Sequence, residues 1–92
     1  MKREDGSTLA TLPDCRGKRF AVVSAEFYGD LTAQLLDGAR RGLRDCGVAD
    51  DAIDIFGVPG CFELPLACKR IAARGYNGVA ALGVVVRGAT PH

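Results

Sequence analysis

The sequence predicts an α/β domain of three layers, an open parallel sheet with helices on both faces, and three observations carry that reading. Residues 20–25 and 79–86 are short apolar runs of the kind found in strands covered on both sides. Residues 52–58, between them, are rich in β-branched and aromatic side chains. The two intervening stretches show apolar residues at helical spacing, and helical crossovers make successive strands parallel with right-handed connections.

Residues 1–18 are polar and irregular, with Gly6, Ser7, Pro13 and Gly17 as breakers, and read as a flexible arm preceding a domain that spans residues 19–92. The first strand, Phe20, Ala21, Val22, Val23, Ser24 and Ala25, gives way to a polar loop at Glu26, Phe27, Tyr28 and Gly29. Asp30 is then expected to cap a helix whose Leu31, Leu35, Ala39, Leu43 and Cys46 form the apolar stripe, with Gly47 as its stop. Gly38 and Gly42, one turn apart, suggest a close approach of that helix to the sheet, because glycine otherwise costs about 1 kcal/mol in a helix. The second strand ends at Pro59 and Gly60. Pro65 suits the first turn of the second helix, whose stripe is Leu64, Ala67, Cys68, Ile71 and Ala72 and whose stop is Gly75. The third strand is expected over residues 79–86, which hold no polar side chain.

The strand order expected for such a unit is flavodoxin-like, and the sequence supplies only its βαβαβ portion. Two helices do not cover three strands on two faces, so the chain is expected to be part of a larger domain or to need a partner for completion.

Composition narrows the class. The chain has 92 residues, 48% of them hydrophobic and 25% charged, as in one globular domain. Twelve Lys and Arg against eleven Asp and Glu imply no general attraction to nucleic acid or anionic membrane. Cys15, Cys46, Cys61 and Cys68 lack the paired spacing of a zinc or redox motif and read as structural thiols. The opening residues develop no apolar signal stretch, so a reducing, cytoplasmic setting is expected.

In open parallel sheets ligands bind beyond the carboxyl ends of the strands, which selects the loops at residues 26–30, 59–65 and 87–92. The unusual residues of the chain fall there. Phe27 offers an aromatic face for a planar ligand, though a plug between loop and helix would use the same residue. Glu63, at the start of the second helix, can accept hydrogen bonds from hydroxyl or amide donors, or serve only the helix end. Arg87, Gly88, Ala89 and Thr90 hold the ingredients of a phosphate cradle without any nucleotide-binding spacing. His92, the single histidine, is an acid/base candidate because imidazole titrates at about 6.5.

The run VPGCFELP at residues 58–65, with ALGVVVRGATPH at 81–92 and LLDGA at 35–39, resembles the lumazine synthase family from about Arg19 onward. The resemblance implies a transferase of riboflavin biosynthesis that condenses 5-amino-6-(D-ribitylamino)uracil with 3,4-dihydroxy-2-butanone 4-phosphate, with neither metal nor organic cofactor. It implies that Phe27 stacks on the pyrimidine, that Cys61, Phe62 and Glu63 line the ribityl and pyrimidine subsite, and that the backbone of Val84, Val85 and Val86 reads the ring edge. Ala89 and Thr90 would hold the phosphate, and His92 would move protons. Family members assemble as pentamers or their multiples, with sites between subunits. The chain departs from the family in Tyr28, commonly Asn, and Cys61, commonly Ala; neither removes a needed group. Since the family's later strand, last helices and phosphate-clamping arginine have no counterpart here, the chain is expected to be an N-terminal portion. The alternative from another class is a noncatalytic homologue that binds a ribityl-pyrimidine or flavin-like ligand, or an assembly subunit.

Overall fold

A computed structural model describes residues 11–87. The elements follow in the order β1 (Phe20–Ala25), α1 (Gly29–Asp45), a 3-10 turn at Asp50–Ala52, β2 (Ile53–Val58), a 3-10 turn at Cys61–Glu63, α2 (Leu64–Ala72) and β3 (Gly78–Leu82). The three strands form one sheet in the order β2-β1-β3, and both pairings are parallel. This is the expected open α/β arrangement with flavodoxin-like order.

β1 is central, paired on both edges and buried on both faces. Ala21 and Val23 pack with Ile71 of α2, joined by Leu64, Ala67 and Cys68 from the same helix. Val22, on the opposite face, packs with Val48 and Ile53, joined by Leu36 and Leu43 of α1 and by Cys15. Alternate residues of one strand therefore hold the two helical layers. α2 begins as expected, with Pro65 in its first turn. Gly47 and Gly75 adopt φ values of +94° and +92°, the left-handed geometry that ends a helix at low cost only with glycine.

The first half of α1 is phased differently from the expected stripe, whereas Ala39, Leu43 and Cys46 are part-buried as expected. Its first residue is Gly29 and its N-cap is Tyr28, which makes no side-chain cap; Asp30 lies inside the first turn, where its carboxylate meets the positive end of the helix. Thr32 is buried, and its hydroxyl donates to the Ala25 carbonyl at 2.8 Å. That bond turns residues 32, 36 and 43 toward the sheet and leaves Leu31 and Leu35 exposed. Gly38 and Gly42 consequently fall off the packed face, and a Cβ at Gly42 would meet nothing within 4 Å, so the expected close approach to the sheet is not made.

β3 is also shorter than the apolar run suggested. It pairs with β1 from Gly78 to Leu82 and stops one residue short of the end of β1 at Ala25, so residues 83–87 lie outside the sheet. Apolarity alone marked residues 83–86 as strand, but pairing requires a neighbour.

A polar lock closes the amino ends of the strands. Arg19 and Asn77 are reciprocally bonded: the Arg19 amide donates to Asn77 Oδ1, and the Asn77 amide donates to the Arg19 carbonyl, both at 2.8 Å. The Arg19 guanidinium donates to Asp54 Oδ2 at 2.9 Å and lies 4.8 Å from the Tyr76 ring centroid, and the Tyr76 hydroxyl donates to the same Asp54 oxygen. The Tyr76 hydrogen bond, then Arg19, holds the Asp54 carboxyl below the usual carboxylate range against the opposing effect of desolvation. A depressed native pKa stabilises the fold fully above the unfolded value, about 3.9, and that contribution is lost as pH falls toward the native value. Asp54→Asn should therefore flatten the acid limb of a plot of urea midpoint against pH below about pH 4. An unchanged limb would show that Asp54 plays no part in acid stability.

Candidate functional site

Three loops leave the sheet at nearly one level because the ladders end together. Ala25 lies opposite Val58, and Ser24 lies opposite Leu82. The Glu26 amide extends the first pairing by donating to the Val58 carbonyl at 2.9 Å, so the chain turns only at Phe27. Phe27 and Tyr28 then stand edge to face with ring centroids 4.8 Å apart, and Phe27 remains 76% exposed. An aromatic ring left so open beside an apolar sheet end offers a stacking surface.

The loop after β2 closes on itself. Glu63 Oε1 accepts the Gly60 amide at 2.9 Å, while the Glu63 amide donates to the Gly60 carbonyl at 3.1 Å. These reciprocal bonds fix the 3-10 turn that leads into α2, and they push Phe62 outward to 93% exposure. The second carboxylate oxygen of Glu63 is left to accept another donor.

The third loop is tied to the second through Cys61. Gly83 passes so close beneath it that a Cβ there would lie 2.5 Å from Cys61 Sγ and 3.2 Å from Leu64 Cδ1. The Cys61 thiol lies 3.7 Å from the Val84 carbonyl, a weak sulfur hydrogen bond. Among the described residues, the backbones of Val84, Val85 and Val86 enter no backbone hydrogen bond, which leaves their amides and the carbonyls of Val85 and Val86 open to a ligand edge, while the Val84 carbonyl takes the Cys61 thiol.

Together the loops enclose a cleft of about 560 Å³ lined by Phe27, Tyr28, Gly60, Cys61, Phe62, Val84, Val85 and Val86. Its size suits a small molecule, and its character suits a flat ring: aromatic walls for the faces and free peptide groups for the edge. A larger groove of about 660 Å³ runs along α2 where it meets the end of β2, past Val58, Leu66, Arg70 and Arg74, sharing Phe62 with the cleft. That groove gathers one loop and one helix face, whereas the cleft gathers all three strand ends.

Six residues expected at the site, Phe27, Cys61, Phe62, Val84, Val85 and Val86, are thus brought together. Glu63 stands at the border, bound into its own turn and facing the neighbouring groove. Ala89, Thr90 and His92 lie outside the described residues. Sequence reasoning did not single out Tyr28, Gly60 or Gly83 as site residues. Tyr28 carried a signal, as an aromatic beside Phe27 in a polar loop, but the need for Gly83 arises from a contact across more than twenty residues. Among the described residues, no group of three or more His, Cys, Asp or Glu is placed to hold a metal ion. No helix there is long and apolar enough to cross a membrane.

The family model for 6,7-dimethyl-8-ribityllumazine synthase matches residues 17–92. The chain belongs to that family. It is 47% identical over 93 residues to the 6,7-dimethyl-8-ribityllumazine synthase of Anaeromyxobacter sp. (strain K), an alignment covering 100% of this chain and 54% of that protein. It is 49% identical over 79 residues to the enzyme of that name from Cutibacterium acnes, covering 86% of this chain and 46% of the relative. The Streptomyces avermitilis relative is 41% identical over 87 residues, covering 95% of this chain and 53% of its own length. The chain therefore spans about half the length of the curated relatives it matches.

The Cys61–Gly83 contact gives this lumazine synthase-family chain a specific test. Gly83→Ala should destabilise it by about 1–3 kcal/mol through overpacking. Adding Cys61→Ala removes the sulfur in the way, so the double variant should recover part of that loss in a chemical denaturation cycle. Additive effects would show that the two residues do not share this contact.

Proposed function

We propose that the protein carrying this chain condenses 5-amino-6-(D-ribitylamino)uracil with 3,4-dihydroxy-2-butanone 4-phosphate to 6,7-dimethyl-8-ribityllumazine, releasing phosphate and water. The observation that carries this reading is the single cleft built from three strand-end loops, with aromatic walls and an unpaired peptide edge. Its fit to a planar pyrimidine, in a chain of this family, supports the assignment.

In this reading Phe27 stacks on the pyrimidine face, and the free peptide groups of Val84, Val85 and Val86 read the ring edge as a paired strand would read its neighbour. Cys61 and Phe62 line the subsite. Glu63 turns its second oxygen to a ribityl hydroxyl while the first remains on the Gly60 amide. Ala89 and Thr90 hold the phosphate through amides and a hydroxyl, and His92 moves protons. Condensation of an amine with a ketone, loss of phosphate and ring closure each require proton transfer near neutral pH, which suits one imidazole. Much of the remaining acceleration comes from holding two substrates side by side in a fixed geometry. Neither metal nor organic cofactor takes part. We further assign the protein to the cytoplasm and to a pentameric assembly or a multiple of it, with residues 1–18 as an arm and 19–92 as part of the catalytic domain.

Two substitutions test the assignment in the protein that carries this sequence. His92→Ala should lower kcat by about a hundredfold or more, followed as phosphate release, with affinity for the ribityl substrate changed less than about twofold. Phe27→Ala should instead weaken that substrate by roughly 1 kcal/mol, seen as a severalfold higher KM. A loss of ribityl-substrate binding in His92→Ala equal to its loss of turnover would make His92 a binding contact and not the proton carrier.

A further inference from the structure

The segment before β1 crosses the carboxyl end of α1 and brings two cysteines together that are thirty-one positions apart in sequence. The Cys15 amide donates to the Cys46 carbonyl at 2.8 Å. With the N···O separation at 2.8 Å, ordinary backbone bond lengths keep the two α-carbons within about 6.7 Å of each other, inside the roughly 4.4–6.8 Å that a disulfide spans. The approach is held from three sides. Cys15 packs into the buried cluster of Val22, Val48 and Ile53. The Lys18 amide returns to the Cys15 carbonyl at 3.2 Å. The Arg16 side chain lies over Gly47, so near that a Cβ at that glycine would sit 2.6 Å from Arg16 Cγ. Gly47 therefore serves the helix stop and the docking of the segment together.

Both thiols are half-buried. A crevice of about 270 Å³, bordered by Pro13, Asp14, Arg16 and Gly47, opens onto Cys46 and gives a small molecule access to it. Burial pushes the Cys46 thiol up, and the neighbouring Cys15 and Asp45 push it further, which agrees with the closeness of the pair. The other two cysteines are engaged elsewhere: Cys61 against Gly83 and Val84, and Cys68 in the cluster on the opposite face of the sheet.

We propose that Cys15 and Cys46 form a thiol–disulfide site that clasps the segment before β1 to the end of α1 under oxidising conditions. The oxidant is a low-molecular-weight disulfide such as glutathione disulfide. One cysteine thiolate attacks it, forming a mixed disulfide and releasing one glutathione thiolate. The second cysteine thiolate attacks the protein-bound sulfur, closing the Cys15–Cys46 bond and releasing the other glutathione. The two cysteines are oxidised by two electrons, glutathione disulfide is reduced to two thiols, and the two cysteine protons end on them. The clasp closes a loop around β1 and α1 without touching the cleft at the other end of the sheet. Reduction by excess glutathione or dithiothreitol reopens it.

The test uses the full chain with Cys61→Ala and Cys68→Ala, so that two thiols remain. Native protein in a glutathione redox buffer should lose both thiols together, and tryptic peptides holding Cys15 and Cys46 should be joined, separating on reduction. Closure should be at least roughly tenfold faster than in the same chain in guanidinium, where the native contact is gone. The unsubstituted chain, mapped after cleavage at acidic residues, should give the same Cys15–Cys46 link, which keeps the test valid if the double variant does not fold. Glutathione adducts that persist singly on Cys15 or Cys46, equal closure rates in guanidinium, or a dominant link from Cys15 to Cys61 or Cys68 would each overturn the proposal.

Discussion

The rest of the structure depends on the position of β1, paired on both edges and covered on both faces. Its backbone groups are satisfied by β2 and β3, and its alternating side chains hold α1 on one side and α2 on the other. Ala21, Val22 and Val23 are wholly buried there, and Ser24 is the polar exception, its buried hydroxyl without a hydrogen-bond partner among the described residues. Once β1 is fixed, its neighbours have little freedom. Their registers are set by Arg19, Asp54, Tyr76 and Asn77 at one end and by the Glu26 to Val58 bond at the other.

The site is a consequence of those registers. A shift of either outer strand by one residue would reverse its faces and move its terminal loop by about 3.3 Å. With the registers as they are, Phe27, Cys61 and Val84 emerge close enough to bound one cleft. Gly83 lets the third loop pass close to Cys61, since a Cβ there would lie 2.5 Å from the Cys61 sulfur. Among the described residues, Phe27 and Phe62 of the cleft wall are the most exposed large apolar side chains, and stability does not explain their placement.

The two ends of the sheet are divided in their tasks. The carboxyl ends present the cleft, whereas the amino ends carry the polar lock and, beside the end of α1, the cysteine pair. The cysteine pair therefore lies with the leading segment, at the end of the sheet away from the cleft.

The sequence by itself determined the α/β class, the three strands, both helices with their glycine stops, the family, and which loops carry the unusual residues. These are local or periodic signals, and a residue's neighbours in sequence suffice to read them. The tertiary structure alone decided the phase of α1, because that depends on a Thr32 hydroxyl reaching the Ala25 carbonyl across a turn. It alone decided that β3 ends at Leu82, because a strand exists only where its backbone is paired, and apolar residues 83–86 are not paired. The meeting of Cys15 with Cys46 and the closeness of Gly83 to Cys61 belong to the same kind. Each joins residues far apart in the chain, and no spacing rule within either segment encodes the contact.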